Sequence, residues 1–175
     1  MKSSCNPLVG AAALRQAQDS PEQRRGAVSG DRAASRVATC RSPEELMSFA
    51  ASLACGLKGG EVFALTGDLG LGKTTFVKGL AQGLGSPSTV TSPTFNLVHR
   101  YKGGRLTLVH YDLYRLKKPG ELEALDLETE LQTQHVLAIE WPTLANPILP
   151  KNRTRWILFE ESGDTERKLT ISSTP

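Results

Sequence analysis

The sequence predicts an α/β fold of the P-loop NTPase kind: a mostly parallel sheet flanked by helices, finished by an antiparallel C-terminal hairpin. Three observations carry this expectation. Short apolar runs of strand type alternate with amphipathic helical stretches, the pattern of strands that pair in parallel through helical crossovers. Residues 67–74, Gly-Asp-Leu-Gly-Leu-Gly-Lys-Thr, match G-x-x-x-x-G-K-[ST] in full, with a strand-like run before them and a helix-like run after. The chain ends in an alternating segment, 156–159, and a second one, 168–172, separated by the turn residues Ser162-Gly163-Asp164.

Taken in order, the folded part opens at Ser42-Pro43-Glu44-Glu45. Ser42 suits an N-cap, Pro43 the first helical position, and Glu45 closes a capping box. Leu46, Phe49, Ala50, Leu53 and Leu57 recur at helical spacing up to the stop at Gly59-Gly60. Val62-Phe63-Ala64-Leu65 reads as a buried strand. After the glycine-rich loop, a helix from about 73 to 84 places Phe76, Val77, Leu80 and Leu84 on one face. Strands are expected at 106–111 and 136–140, with a helix over 119–131 between them.

The chain has 175 residues, with 39% hydrophobic and 22% charged residues, enough for one domain plus an extension. No stretch approaches the roughly 20 apolar residues of a membrane-spanning helix. The composition also excludes an acidic solvating chain. The net charge is +3, but it is unevenly spread. Residues 1–40 hold six basic and three acidic residues and none of the ten aromatics, whereas 41–175 hold 15 of each sign. The first segment lacks the apolar surface that would offset its ordering entropy, so it is expected to be a disordered extension preceding a P-loop domain over 41–175. The mild basicity is therefore no argument that the domain grips nucleic acid. The run from Leu8 to Leu14 is short for a signal peptide and is interrupted by Gly10. Three scattered cysteines without a C-x-x-C and three scattered histidines supply no zinc ligand set and favour a reducing, cytoplasmic compartment.

The chemistry concentrates in the loop. Its glycines allow a nest of inward-pointing N–H groups, and the helix that follows directs its positive end at the same anion. Lys73 brings a point charge to the β- and γ-phosphates of a nucleotide, and Thr74 a hydroxyl for Mg²⁺. Such a site also needs carboxylates at strand ends. Asp112 ends one apolar run and Glu140 follows Val136-Leu137-Ala138-Ile139, the Walker B pattern. Ser92-Pro93-Thr94 is either a switch-like loop sensing the γ-phosphate or a plain proline turn. His110 is either a proton carrier or structural, and Trp141 either packs or covers the nucleotide.

Four segments then stand in order: GDLGLGKTTF, TSPTFNLV, HYDLYRL and EWP. Together they resemble the TsaE family, the bacterial ATPase of tRNA threonylcarbamoyladenosine biosynthesis, over residues of about 42 to 160. The resemblance implies slow, Mg²⁺-dependent ATP hydrolysis. It also implies partnership with the threonylcarbamoyl-transferase subunit and its inactive paralogue, with tRNA engaged only through that complex and no membrane involved. Carried onto this chain, Asp68, Leu69, Gly70, Leu71, Gly72, Lys73, Thr74 and Thr75 bind the nucleotide, with Trp141 beside it and an adenine pocket near Cys40 to Ser42. Thr74, Asp112 and Glu140 serve the metal, and Lys73, Asp112 and Glu140 the reaction. The sequence departs from the family pattern in its 40-residue extension and in Thr143, where an acid is common.

The alternative class is a small-molecule or nucleoside kinase using the same loop, although no arginine-rich lid is evident and Lys117-Lys118 is the nearest feature. A GTPase lacks its N-K-x-D segment here. An arginine finger is not evident; Arg100, Arg115 or a partner's arginine are the candidates.

Overall fold

In a computed structural model of the chain, residues 35–93, 95–163 and 166–175 are described. They form a seven-stranded sheet in the order β1-β7-β6-β2-β5-β4-β3. The strands are β1 (Arg36–Cys40), β2 (Val62–Thr66), β3 (Val98–Tyr101), β4 (Leu108–Asp112), β5 (Val136–Glu140), β6 (Thr154–Glu161) and β7 (Arg167–Ser172). β6, β2, β5 and β4 run parallel, while β3, β7 and β1 add antiparallel pairs at the two edges. The expected fold class is the observed one.

Period-two alternation in the central strands feeds two cores, because both faces of the sheet are covered. One core holds Phe63, Leu65, Leu108, Val136, Ala138, Ile157 and Phe159 beneath two helices, α1 (Pro43–Cys55) and α2 (Lys73–Gly83). The other holds Val62, Ala64, Val109, Tyr111, Leu137, Ile139 and Trp156. It is covered by short pieces: α3 (Pro119–Glu123), α4 (Leu127–Glu130) and two 3-10 turns, Pro142–Leu144 and Asn146–Ile148. A groove of about 510 Å³ opens among these pieces, lined by Leu122, Leu127, Leu144 and Ile148 with Glu123 and Asp126 among the residues at its wall.

The first helix starts as its cap residues dictate. Ser42 Oγ accepts from the Glu45 N–H at 3.2 Å, an arrangement worth about 1 kcal/mol. Glu45 reaches back to the Arg41 N–H, one residue before the expected donor. The helix ends at Cys55, not at Gly59-Gly60, and Leu57 is buried from the following turn. Glycine sets the distance between α1 and α2. A Cβ on Gly79 would lie 2.3 Å from the Met47 carbonyl oxygen, and one on Gly83 would lie 2.4 Å from that of Ala51. Phe76 of α2 anchors on the sheet between Phe63 and Phe159, with ring centroids 5.9 and 5.8 Å away.

Three expectations change. Residues 36–40, assigned from composition to the amino-terminal extension, form β1 and pair with β7 from Arg36↔Ile171 to Cys40↔Arg167. Ala38 and Cys40 are buried there, so two small side chains suffice to seat an edge strand. The expectation of disorder for 1–34 lies outside the described residues. The helix expected over 119–131 is two helices broken at Asp126, whose φ of 52° places it in the left-handed region. β3 had no strand assignment: its burial is partial along most of its length, as befits an edge strand. The turn between β6 and β7 falls partly outside the described residues.

Candidate active site

Because β2, β4 and β5 are parallel and adjacent, their carboxyl ends meet at one edge of the sheet. Ligands of open α/β sheets bind at such an edge. β2 runs into the glycine-rich loop, whose Gly67, Gly70 and Gly72 have φ of 127°, 83° and 97°. Gly67 has a second reason to lack a side chain, since a Cβ would stand 2.5 Å from the Phe159 carbonyl oxygen. Gly72 enters α2 against the side chain of Leu46. Leu71 is buried in the α1–α2 core and fastens the loop, while Leu69 at 77% exposure faces out.

Lys73, the first residue of α2, is 4% exposed. Its Nζ donates to the carbonyls of Gly67 and Asp68, each at 2.7 Å, and lies 4.1 Å from the centroid of the Trp141 ring. Burial pushes the ammonium's pKa down, and the charges of Glu140, Asp112 and Asp68 oppose that shift. The lysine is thus a desolvated cation folded back on its own loop.

Thr74 Oγ1 donates to Glu140 Oε1 at 2.8 Å. Glu140 is paired in register with Asp112 across β5 and β4, so the two carboxylates stand side by side; they are 4% and 5% exposed. Asp112 Oδ2 accepts from Ser92 Oγ at 3.1 Å, and Oδ1 accepts from the Tyr114 N–H at 3.2 Å. The Ser92-Pro93-Thr94 segment therefore reaches the acidic pair through Ser92; Thr94 lies outside the described residues. Trp141 has φ of 58°, an unusual conformation for so large a residue. Its N–H donates to the Leu65 carbonyl at 3.1 Å and its ring packs on Tyr114 at 4.9 Å, which turns the indole toward Lys73.

The structure thus brings Lys73, Thr74, Asp112, Glu140 and Trp141 together with the loop residues Asp68, Leu69, Gly70, Leu71 and Gly72. Thr75 sits half-buried in the first turn of α2. Ser42 is placed as the cap of α1, one turn before Leu46, and makes no hydrogen bond to the loop. Arg100 is committed elsewhere: its Nε and Nη2 donate to Glu130 at 3.0 and 2.7 Å. Arg115 stacks over Phe95 at 4.6 Å. The sequence leaves two side chains open or unremarked. His110 Nε2 lies 2.9 Å from Glu140 Oε1, and Tyr114 packs the tryptophan. The signal for His110 was its spacing of two residues from Asp112, which puts both on one face of β4.

This donor set fits a magnesium nucleotide. The oxygens are hard, a hydroxyl and two carboxylates, and Mg²⁺ is ordinarily held by one or two carboxylates together with substrate phosphates. Among the described residues no cluster of three or more His, Cys, Asp or Glu could hold a metal by itself, so phosphate oxygens would have to complete its shell.

A family model described as "Threonylcarbamoyl adenosine biosynthesis protein TsaE" matches residues 40–169. The tRNA threonylcarbamoyladenosine biosynthesis protein TsaE of Bacillus subtilis is 42% identical over 132 residues, 75% of this chain and 82% of its own length. The protein of the same name from Borreliella burgdorferi is 40% identical over 124 residues, covering 70% and 90%. The crystal structure of Bacillus subtilis YdiB superposes with a TM-score of 0.70 at 33% identity, covering 83% of this chain and 90% of that one.

Proposed function

The chain belongs to the TsaE family, whose role is in tRNA threonylcarbamoyladenosine biosynthesis, and from that premise and the site geometry we propose that it binds and slowly hydrolyses ATP with Mg²⁺ in support of the threonylcarbamoyl-transferase. The observation that carries the reading is the Thr74–Glu140 hydrogen bond, with Asp112 alongside in register. It unites the end of the phosphate-loop motif with the acids of two neighbouring strands.

In this reading the loop N–H groups and Lys73 hold the β- and γ-phosphates, while Thr74 and Asp112 are ligands of the ion. When bound, Mg²⁺ supplies charge neutralisation on the phosphate oxygens. Glu140 accepts a hydrogen bond from a water in line with the γ-phosphorus. The water oxygen bonds to phosphorus as the bond to the β,γ-bridging oxygen breaks, and ADP leaves with that electron pair. The water's protons end on inorganic phosphate and solvent. Most of the acceleration is positioning and electrostatics. Trp141 shields Lys73 from solvent on one side, keeping its charge effective.

The proposed partners are the transferase subunit and its inactive paralogue, in the cytoplasm, with tRNA reached through them. Among the described residues no helix is long and apolar enough to cross a membrane. The test is co-purification with the two transferase subunits with and without ATP, combined with ATP turnover of the separate and mixed proteins. The reading expects nucleotide-dependent association and ADP formation that rises in the mixture. No association in any nucleotide state would overturn the partnership, and phosphate transfer to a small acceptor in place of water would favour the kinase alternative.

A further inference from the structure

His110 is wholly buried on β4, yet it carries the only buried side-chain polar atom among the described residues that lacks a hydrogen-bond partner, Nδ1. Its other nitrogen, Nε2, is 2.9 Å from Glu140 Oε1. The carboxylate oxygen is an acceptor for an Nε2–H donor, and in the Nε2–H tautomer Nδ1 is a bare acceptor. Leaving a polar atom unsatisfied in a core is unfavourable, and an apolar side chain of similar size would avoid that cost. A purely structural residue has no reason to keep it.

The partner atom suggests the reason. Glu140 Oε1 accepts two hydrogen bonds, from Thr74 Oγ1 and from His110 Nε2–H, and Oε2 receives none from the described residues. The two donors differ in one respect. The Thr74 hydroxyl is the group that the proposed function assigns to Mg²⁺, and a hydroxyl oxygen turned to a cation reorients its proton. The histidine donor comes from a fully buried strand with no freedom to follow. We propose that His110 is a positioning residue: it pins Oε1 of Glu140 through Nε2–H, holding the carboxylate in one orientation when Thr74 is engaged by the ion. The proposal rests on the ATP-hydrolysis reading above. Side chains that orient a site's acids without touching substrate typically cost 10–100-fold when removed.

The test compares wild type, His110→Leu and His110→Gln. Gln carries an N–H₂ group that can reach about as far as Nε2, whereas Leu fills space without a donor. In steady-state hydrolysis the Leu variant is expected to lose about tenfold or more in kcat with KM for ATP little changed, and Gln to recover part of the loss. ATP affinity measured in EDTA is expected to be the same in all three, because the lesion lies away from the loop's phosphate contacts. A readout independent of turnover and of any variant is the ¹⁵N spectrum of His110 in the wild-type protein. It is expected to show the Nε2–H tautomer both without nucleotide and with Mg²⁺-ADP. Full kcat in a folded His110→Leu protein, a Gln variant no better than Leu, or an Nδ1–H tautomer would each overturn the proposal. A wild-type protein that hydrolyses no ATP, alone or with its partners, would instead overturn the reading on which it rests.

Discussion

The two faces of the sheet are built in different ways. On one, two helices of 13 and 11 residues approach so closely that Gly79 and Gly83 have no room for a side chain, and the loop with Lys73 and Thr74 grows out of that packing. On the other, helices of five and four residues and two 3-10 turns cover the core, leave a groove, and are fastened by a polar network. Glu130 of α4 accepts from Arg100 of β3 and pairs with His135 at 2.7 Å, just before β5. The difference teaches where precision is stored. The candidate site stands on the face whose geometry is set by steric contact, while the opposite face is held by apolar burial and by ion pairs from the buried Glu130 to the partly exposed Arg100 and His135.

The largest effect should come from breaking the tight face. Gly79→Val would push side-chain atoms into the Met47 carbonyl and the Ala50 methyl. A loss of about 3 kcal/mol is expected, a fall in Tm of roughly 10 °C by calorimetry. An unchanged Tm would show that α1 and α2 can separate freely.

A smaller, pH-dependent effect is expected on the other face. The Glu130 carboxyl is pushed up by burial, but hydrogen bonds from His135 and Arg100 outweigh this and hold its pKa below the ordinary 4.5. A carboxylate with a lowered folded pKa contributes stability that is complete above the unfolded value and lost as pH falls through the folded one. Arg100 is 42% exposed on its side chain, so solvent screening limits the pair. Arg100→Ala should cost only ~0.5–1 kcal/mol at neutral pH, and its Tm gap from wild type should start to close as the pH falls below the ordinary carboxyl value of 4.5 and disappear only below the lowered folded value. A gap that widens in acid would contradict the assignment.

The smallest effect should be a gain. Gly120, at the second position of α3, has nothing within 4 Å of where a Cβ would stand. Gly120→Ala is expected to add ~0.5 kcal/mol, seen as a rise of one or two degrees in Tm for a domain of this size. Destabilisation instead would mean that the second face is as closely fitted as the first.

What the sequence disclosed follows the same division. The loop, α1, α2 and β5 were legible because their signals are local: a cap residue, a helical stripe, a four-residue apolar run ending in an acid. The sequence sends Thr74 and Glu140 to one metal through the family resemblance, but their direct hydrogen bond, 66 positions apart, is visible only in the structure. β1 escaped because edge strands need little apolar surface, and its two buried residues are an alanine and a cysteine. The break at Asp126 escaped because the apolar positions Leu122, Leu125, Leu127 and Leu131 are close enough to helical spacing to hide a left-handed residue between them. His110 was visible as a residue but not as a contact, since a lone histidine on a strand says nothing about which carboxylate it will meet. Ser42 was read both as a cap and, through the family resemblance, as part of an adenine pocket; its hydroxyl is engaged as the cap.

The proposal at the centre is that the loop of the tightly packed face is a nucleotide site with Lys73 as its phosphate-binding cation. Calorimetric titration of Mg²⁺-ATP into wild type and Lys73→Ala tests it most directly. Saturable binding by wild type is expected, weakened tenfold or more in the variant, with the Tm of the variant in the absence of nucleotide near that of wild type. Equal affinity in the two proteins, or no binding by wild type, would contradict it.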